Sequence, residues 1–253
     1  MTTLDPGELA DVGGALLHRA LAFDLETTGL DTNTAQPVSY AFIAVADGKI
    51  RDQTYGLVCP TVPVEPGAAA VHGLDETTLR RDGQELHGAV EGIANRLCRA
   101  SSLGVPLVGM NLSFDLQMIN VLAKSLLGKG LVDLGWQGPI LDAIVLDRGF
   151  EPYRKGKRTL DALCEQYRIE RSGAHHALSD SYDTYRVVEA IVANFGVEVS
   201  EGQVLGELSA RQAIFEHAFK TSLRDYQVRT KGSSDVVIGD WWPIDGSFHT
   251  EAG

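Results

Sequence analysis

Short apolar runs suited to strands alternate with longer amphipathic stretches along most of the chain. Residues 21–26 begin with an apolar run and predict a first strand. Residues 38–46 and 49–58 are rich in strand-forming side chains. Asp47 and Gly48 between them form a strong hairpin signal, because both residue types tolerate positive φ. The chain is therefore predicted to open with a sheet fed by an antiparallel hairpin.

Helical periodicity dominates after this hairpin. Residues 60–67 carry three prolines and predict an irregular loop. The spacing of apolar residues then predicts helices at 85–101, 114–127, 142–148, 159–167 and 177–195, with short strands at 105–110 and 140–141. Ser209 and Gln212 have capping-box spacing, which predicts that a further helix opens there. A hairpin followed by alternating strands and helices indicates a mixed α/β sheet covered by helices.

Composition narrows the function classes. The chain has 253 residues and a formal net charge of −12, which argues against holding nucleic acid by bulk positive charge but leaves metal binding by carboxylates open. Cys59, Cys98 and Cys164 are scattered and odd in number, so no disulfide framework is expected. The sequence shows neither a signal peptide nor an apolar run long enough for a membrane span, and we expect a cytoplasmic protein.

Acidic residues occur at three places where predicted strands end or helices begin. Asp24 and Glu26 are two apart on a strand and share a face, where a divalent cation would offset their repulsion. A solvent-facing strand end is the alternative. Asp115 is expected near the beginning of a helix, where a negative charge also favours the helix terminus. Asp180 stands near the beginning of the long helix predicted after His175, and a histidine there can equally be a capping or surface group.

The order Asp-x-Glu, Asn-x₃-Asp and His-x₄-Asp resembles the DEDDh 3′→5′ exonucleases of the DnaQ-like family, in the RNase H-like superfamily. The resemblance runs from about residue 20 to 195. His72, within Val-His-Gly-Leu, is similar to the family's substrate loop, and Asp142 to its helix-opening aspartate, although it could merely cap its helix. Met110 stands where many members have a histidine before the Asn, a departure that bears on substrate handling.

This resemblance implies an α/β fold, with an RNase H-like mixed sheet of five strands flanked by helices and a helical C-terminal extension. Its second strand would be antiparallel, in agreement with the predicted hairpin. We accordingly divide the chain into a leader at residues 1–18, an exonuclease domain at 19–196, and a C-terminal helix and tail at 197–253 packed on that domain. The tail carries Trp241 and Trp242, for which packing on the domain and a partner surface both remain open.

The resemblance also implies roles for individual residues. The expected ligands of two Mg²⁺ or Mn²⁺ ions are Asp24, Glu26, Asp115 and Asp180. His175 would take the proton from the attacking water, with His176 as the competing candidate. The expected substrate-binding residues are Thr27, Thr28, Leu30, His72, Asn111 and Phe114. For several of them an ordinary turn, loop or core role is the alternative.

The implied substrate is a single-stranded nucleic acid 3′ end, from which nucleoside 5′-monophosphates are released. A DNA end is preferred over RNA trimming, because small RNA-trimming relatives usually lack an added C-terminal segment. A catalytically inactive binding module is a further alternative, but all five expected catalytic residues are present. A polymerase partner and a homo-oligomer are both left open, and no membrane is expected. The basic residues Arg148, Arg154, Lys155, Lys157 and Arg158 could follow a phosphate backbone or form a solvated loop.

Overall fold

The structure, a computed structural model, describes residues 17, 19–173, 177–195 and 202–250. Its strands are β1 (Arg19–Thr27), β2 (Pro37–Ala46), β3 (Lys49–Cys59), β4 (Gln84–Glu85), β5 (Leu107–Gly109), β6 (Ile140–Asp142), β7 (Trp241–Trp242) and β8 (Phe248–His249). Its helices are α1 (Pro66–His72), α2 (Glu76–Asp82), α3 (Leu86–Ser102), α4 (Leu112–Leu127), α5 (Ala143–Phe150), α6 (Leu160–Gln166), α7 (Ala177–Asn194) and α8 (Gly202–Lys231).

The main sheet has the order β4-β3-β2-β1-β5-β6. β2 is antiparallel to both β1 and β3, so the hairpin prediction is confirmed. β5 is parallel to β1 and β6 is parallel to β5. The five expected strands are therefore present in a mixed sheet, and a two-residue sixth strand, β4, adds to the end of β3.

Side chains on the two faces of β1 pack into different cores, and their alternation determines on which face the acidic residues of this strand lie. Ala20 and Ala22 point into a core formed with α7, while Leu21, Phe23 and Leu25 point into the core formed with α3 and α4. Because successive side chains of a strand alternate, Asp24 and Glu26 continue the series of Ala20 and Ala22. Both acidic residues therefore face the side of the sheet that α7 covers.

A short helix begins inside the loop predicted around the prolines, and a second short helix follows it. α1 begins at Pro66, where proline is tolerated because the first turn of a helix has no use for its missing N–H. α2 follows after Asp75, whose side chain accepts a hydrogen bond from the N–H of Thr78. The prediction of irregular structure up to residue 67 was wrong for residues 66 and 67. A proline in the first turn of a helix cannot be distinguished from a loop proline by sequence alone.

The capping-box prediction for Ser209 was wrong. Both Ser209 and Gln212 lie inside α8, which begins at Gly202, and both side chains are fully buried against the edge strand β6. Polar side chains in a helix interior normally indicate a solvent-facing side, and only a buried partner from another element makes this placement favourable. That partner is not visible in local spacing.

The C-terminal tail folds back as a small antiparallel ribbon of β7 and β8. Trp242 is buried in the core beside α4, whereas Trp241 remains exposed with its ring edge-on to His249. One tryptophan of the pair therefore packs the tail onto the domain. None of the helices in the described ranges combines the length and the apolar character that crossing a membrane requires.

Candidate functional site

The first acidic pair lies at the carboxyl end of β1. Asp24 is opposite Ala41 and Glu26 is opposite Ser39 on β2, and the register shifts directly after Glu26. Such an irregularity bends a strand and redirects the side chains at its end. Both carboxylates are only partly exposed, on the face of the sheet that also holds α7.

Asp115 reaches the same region from the neighbouring strand. β5 ends at Gly109, and Asn111 adopts a left-handed conformation (φ 61°, ψ 41°) that turns the chain directly into α4. Asp115 stands in the first turn of that helix and is 5% exposed. Backbone N–H groups of Asp115 and Leu25 favour its ionised form, but burial and the charges of Asp142 and Glu26 raise the pKa of Asp115 well above its ordinary value.

The fourth carboxylate, Asp180, comes from the first turn of α7. Its negative charge acts on Asp24 of β1. Burial, and then the charges of Asp115, Glu26 and Asp180, raise the pKa of Asp24 well above its ordinary value. Residues from one strand and two helices thus form one electrostatic cluster. The structure therefore brings together the four acidic residues that the sequence predicted as metal ligands.

The chemistry of this cluster fits hard divalent cations. All four candidate donors are carboxylates, the ligand type that Mg²⁺ and Mn²⁺ prefer. Buried negative charges that raise one another's pKa are costly without a nearby cation. In the described part of the chain, no three His, Cys, Asp or Glu side chains already converge on one metal position, and Asp180 accepts a 2.8 Å hydrogen bond from Arg171. Rotation of these side chains would have to complete the coordination.

His175 and His176 lie outside the described residues, so their expected roles stay predictions. The segment just before them is tied to α7. Arg171 forms ion pairs with Asp161, Asp180 and Asp183, and Ser172 donates its N–H and hydroxyl to Asp183. Asp183 is fully buried. Sequence reasoning predicted Asp180 but missed Arg171, Ser172 and Asp183, although an arginine shortly before acidic residues three apart on a helix was a usable signal.

Several polar groups of the loop after β1 form hydrogen bonds within the protein. Thr28 is buried, its N–H donates to Gln36 and its carbonyl accepts from Glu65. Its hydroxyl accepts from the Gln36 N–H. Thr27 is also buried and donates its hydroxyl to the carbonyl of Gly29. The role of these two threonines as nucleotide contacts stays a prediction, and the bonds of Thr28 favour shaping of the loop.

Two other predicted substrate residues flank this loop. Leu30 is 85% exposed, as a side chain that wedges against a terminal base must be. His72 ends α1 and lies next to the backbone of Thr27, and burial lowers its pKa. Its Nδ1 accepts from the Leu74 N–H, while its buried Nε2 has no hydrogen-bond partner among the described residues. His72 is therefore held next to the carboxylate-bearing strand.

The remaining two predicted substrate residues surround the start of α4. Asn111 is exposed at the turn, whereas Phe114 is half-buried and packs against the apolar core. Phe114 thus has the core contact that was its alternative, with part of its ring still accessible.

Asp142 is fully buried at the end of β6 and caps α5, and burial raises the pKa of Asp142 to about 6.

The basic residues between positions 148 and 158 fall into two groups, arginines that contact other groups of the domain and exposed lysines. Arg154 and Arg158 both bind the fully buried Asp147, and Arg148 pairs with Glu216 while its guanidinium stacks on Phe219. Neither of the two alternatives for this stretch, a phosphate contact or a solvated loop, describes these three arginines, because each neutralises or covers a group of the domain. The lysines 155 and 157 remain exposed.

We expect Arg158→Ala to lower the melting temperature, because the buried Asp147 would lose one of its two guanidinium partners. Hydrogen bonds to charged groups contribute about 1.5–3 kcal/mol to stability. For a domain of this size, each kcal/mol lost lowers the melting temperature by roughly 2–4 °C. The double variant Lys155→Ala/Lys157→Ala should keep the melting temperature of the unmodified protein. Thermal unfolding followed by circular dichroism measures both, and equal melting temperatures would contradict the structural role of Arg158.

Comparison with known proteins places this arrangement among nucleases. The family model described as "Exonuclease" matches residues 21–188, which include the four clustered carboxylates. The chain is 28% identical to the DNA polymerase III subunit epsilon of Buchnera aphidicola over 172 residues, covering 65% of this chain and 68% of that protein. It is also 28% identical over 171 residues to a PolC-type DNA polymerase III of Lacticaseibacillus paracasei, covering 68% of this chain but only 11% of that much longer protein.

Solved structures share the fold. Escherichia coli Exonuclease I in complex with a dT13 oligonucleotide superimposes with a TM-score of 0.57 at 19% identity, covering 69% of this chain and 41% of that one. Exonuclease X in complex with 5′ overhanging duplex DNA gives a TM-score of 0.53 at 22% identity, covering 74% of this chain and 99% of that one. These similarities show that the mixed sheet with its helices is the RNase H-like fold.

Proposed function

The chain belongs to the DnaQ-like exonuclease family, and from that premise we propose that it is a metal-dependent 3′→5′ exonuclease acting on DNA. It releases nucleoside 5′-monophosphates from 3′ ends. The observation that carries the proposal is the clustering of Asp24, Glu26, Asp115 and Asp180, which come from one strand and two helices yet share one electrostatic environment.

In this proposal, Asp24, Glu26, Asp115 and Asp180 hold two Mg²⁺ or Mn²⁺ ions. Two bound cations would supply charge stabilisation and help ionise water in an in-line displacement. His175 accepts the proton from the attacking water, whose oxygen forms the new bond to the terminal phosphorus. The bond from phosphorus to the 3′ oxygen of the preceding nucleotide breaks, that oxygen takes up a proton from water to become the new 3′ hydroxyl, and the released nucleotide keeps the phosphate at its 5′ position. Leu30 and His72 flank the last nucleotide.

DNA is preferred to RNA because proteins similar to this chain are named for DNA metabolism. The similar epsilon and PolC-type proteins belong to DNA polymerase III, and the Exonuclease I and X structures contain DNA. A DNA polymerase is therefore a candidate partner in proofreading, while free-standing repair of DNA ends or a homo-oligomer would need no such partner. We place the protein in the cytoplasm, which the free thiols of Cys59, Cys98 and Cys164 support.

The proposal is tested by incubating the protein with single-stranded DNA and RNA of the same sequence, each labelled at the 5′ end, in Mg²⁺. We expect the DNA to shrink as a ladder that keeps its label, and EDTA to stop the reaction until Mg²⁺ or Mn²⁺ is added. Faster shortening of RNA would identify a trimming exoribonuclease. Early release of the label as a mononucleotide would reverse the polarity.

Two controls complete this experiment. Protein carrying Asp115→Asn, purified in parallel, excludes a contaminating nuclease, because loss of one ligand should remove activity from this protein alone. Binding of the same DNA by the unmodified protein without any shortening would identify an inactive binding module. Activity that survives exhaustive chelation would contradict the metal-dependent mechanism.

A further inference from the structure

The C-terminal helix α8 completes the open edge of the main sheet. β6 is the last strand in the sheet order, so among the described residues its outer backbone groups have no strand partner. Ser209 accepts from the N–H of Ile140 at 3.0 Å, and Gln212 donates to the Ile140 carbonyl at 2.8 Å. The amide oxygen of Gln212 also accepts from the N–H of Asp142 at 2.8 Å. Buried helix side chains thus make the hydrogen bonds that another strand would make.

The side chain of Asp142 in turn forms a hydrogen bond with the helix that carries Asp115. One carboxylate oxygen of Asp142 accepts from Ile144 and Val145 at the beginning of α5. The other accepts a 2.7 Å hydrogen bond from the N–H of Leu112, the first residue of α4. Asp142 and Leu112 are fully buried. A continuous path of buried hydrogen bonds therefore runs from α8 through Asp142 to the first turn of α4.

We propose that Gln212 is a positioning residue of the nuclease site, acting through Asp142 to fix the start of α4 and thereby the carboxylate of Asp115. The proposal rests on the proposed function. The match to the exonuclease family ends at residue 188, so this support comes from a segment beyond the matched region. Asp115 shares the first turn of α4 with Leu112, and a small shift of this turn moves a metal ligand directly.

Removal of the Gln212 amide should loosen this turn. Gln212→Met keeps a side chain of similar length but cannot bond the backbone of Ile140 or Asp142. Partners that orient metal ligands typically change metal affinity or activity by about 10–100-fold when they are lost. We expect Gln212→Met to weaken Mn²⁺ binding by roughly that factor and to lower kcat, with little change in KM for DNA.

Ser209→Ala provides a matched control on the same helix. Ser209 is as deeply buried as Gln212 and bonds the same strand, but its contacts stop at Ile140 and Leu205. We expect both variants to lower the melting temperature, and only Gln212→Met to lower kcat and weaken Mn²⁺ binding. This difference separates positioning of the site from general stabilisation of the sheet edge.

The deciding measurement is calorimetric titration of each full-length variant with Mn²⁺ in the absence of nucleic acid. Equal Mn²⁺ affinity of Gln212→Met and Ser209→Ala would overturn the proposal. If Gln212→Met does not fold, Asp142→Asn tests the next link of the same path, and unchanged Mn²⁺ affinity there would overturn it equally. Failure of the unmodified protein to degrade DNA would instead contradict the proposed function.

Discussion

Asp24→Asn is expected to abolish exonuclease activity and, at the same time, to raise the melting temperature of the metal-free protein. Loss of one carboxylate ligand removes several kcal/mol of charge stabilisation, or at least about 10³-fold in rate. Asparagine at this position also removes a buried negative charge that repels Asp115, Glu26 and Asp180. The same substitution therefore has opposite effects on activity and on stability.

The gain in stability should depend on pH in a defined direction. The pKa of Asp24 is raised in the folded protein by burial and by neighbouring carboxylates. A raised pKa means that the folded state favours the protonated form, so the ionised carboxylate lowers the free energy of unfolding as pH rises. The advantage of Asp24→Asn should be absent near pH ~3.5 and largest near neutral pH and above, where the carboxylate of Asp24 is ionised.

Thermal unfolding in EDTA at several pH values, with parallel assays in Mg²⁺, tests this prediction. Asp225→Asn is the control, because Asp225 is an exposed carboxylate of α8 and should change neither quantity. Mn²⁺ should raise the melting temperature of the unmodified protein more than that of Asp24→Asn. A metal-free Asp24→Asn protein that is less stable than the unmodified one at neutral pH would contradict the repulsive cluster.

His175→Ala is expected to lower kcat by about 10²–10⁴-fold, the usual contribution of general acid–base catalysis. KM and Mn²⁺ affinity should change little, because this histidine binds no metal in the proposed mechanism. His176→Ala is the matched control and should stay within a few-fold of the unmodified protein, since adjacent residues do not generally point to the same place. Steady-state kinetics on labelled single-stranded DNA measures both variants.

Asp180→Ala separates loss of the base from loss of a ligand. Its Mn²⁺ affinity should fall, and raising the pH should not restore its activity. Equal and mild effects of His175→Ala and His176→Ala would show that neither histidine is the base. A large effect of His176→Ala alone would exchange the two assignments.

The sequence by itself determined the elements that depend on local chemistry. The hairpin around Asp47 and Gly48 and the common face of Asp24 and Glu26 both follow from backbone preferences and strand alternation, which act over a few residues. The order of the three acidic motifs further identified the family, and the match over residues 21–188 confirms it. The resemblance supplied the grouping of the motifs, because local spacing cannot bring distant residues together.

Only the tertiary structure decided which polar side chains serve the fold. Arg154 and Arg158 look like a nucleic-acid contact in the sequence, yet both neutralise the buried carboxylate of Asp147. Gln212 looks like part of a helix cap, yet it bonds the edge strand 70 residues away. A buried polar group must find a partner wherever the folded chain provides one. That partner is set by packing between distant elements, and no pattern of neighbouring residues encodes it.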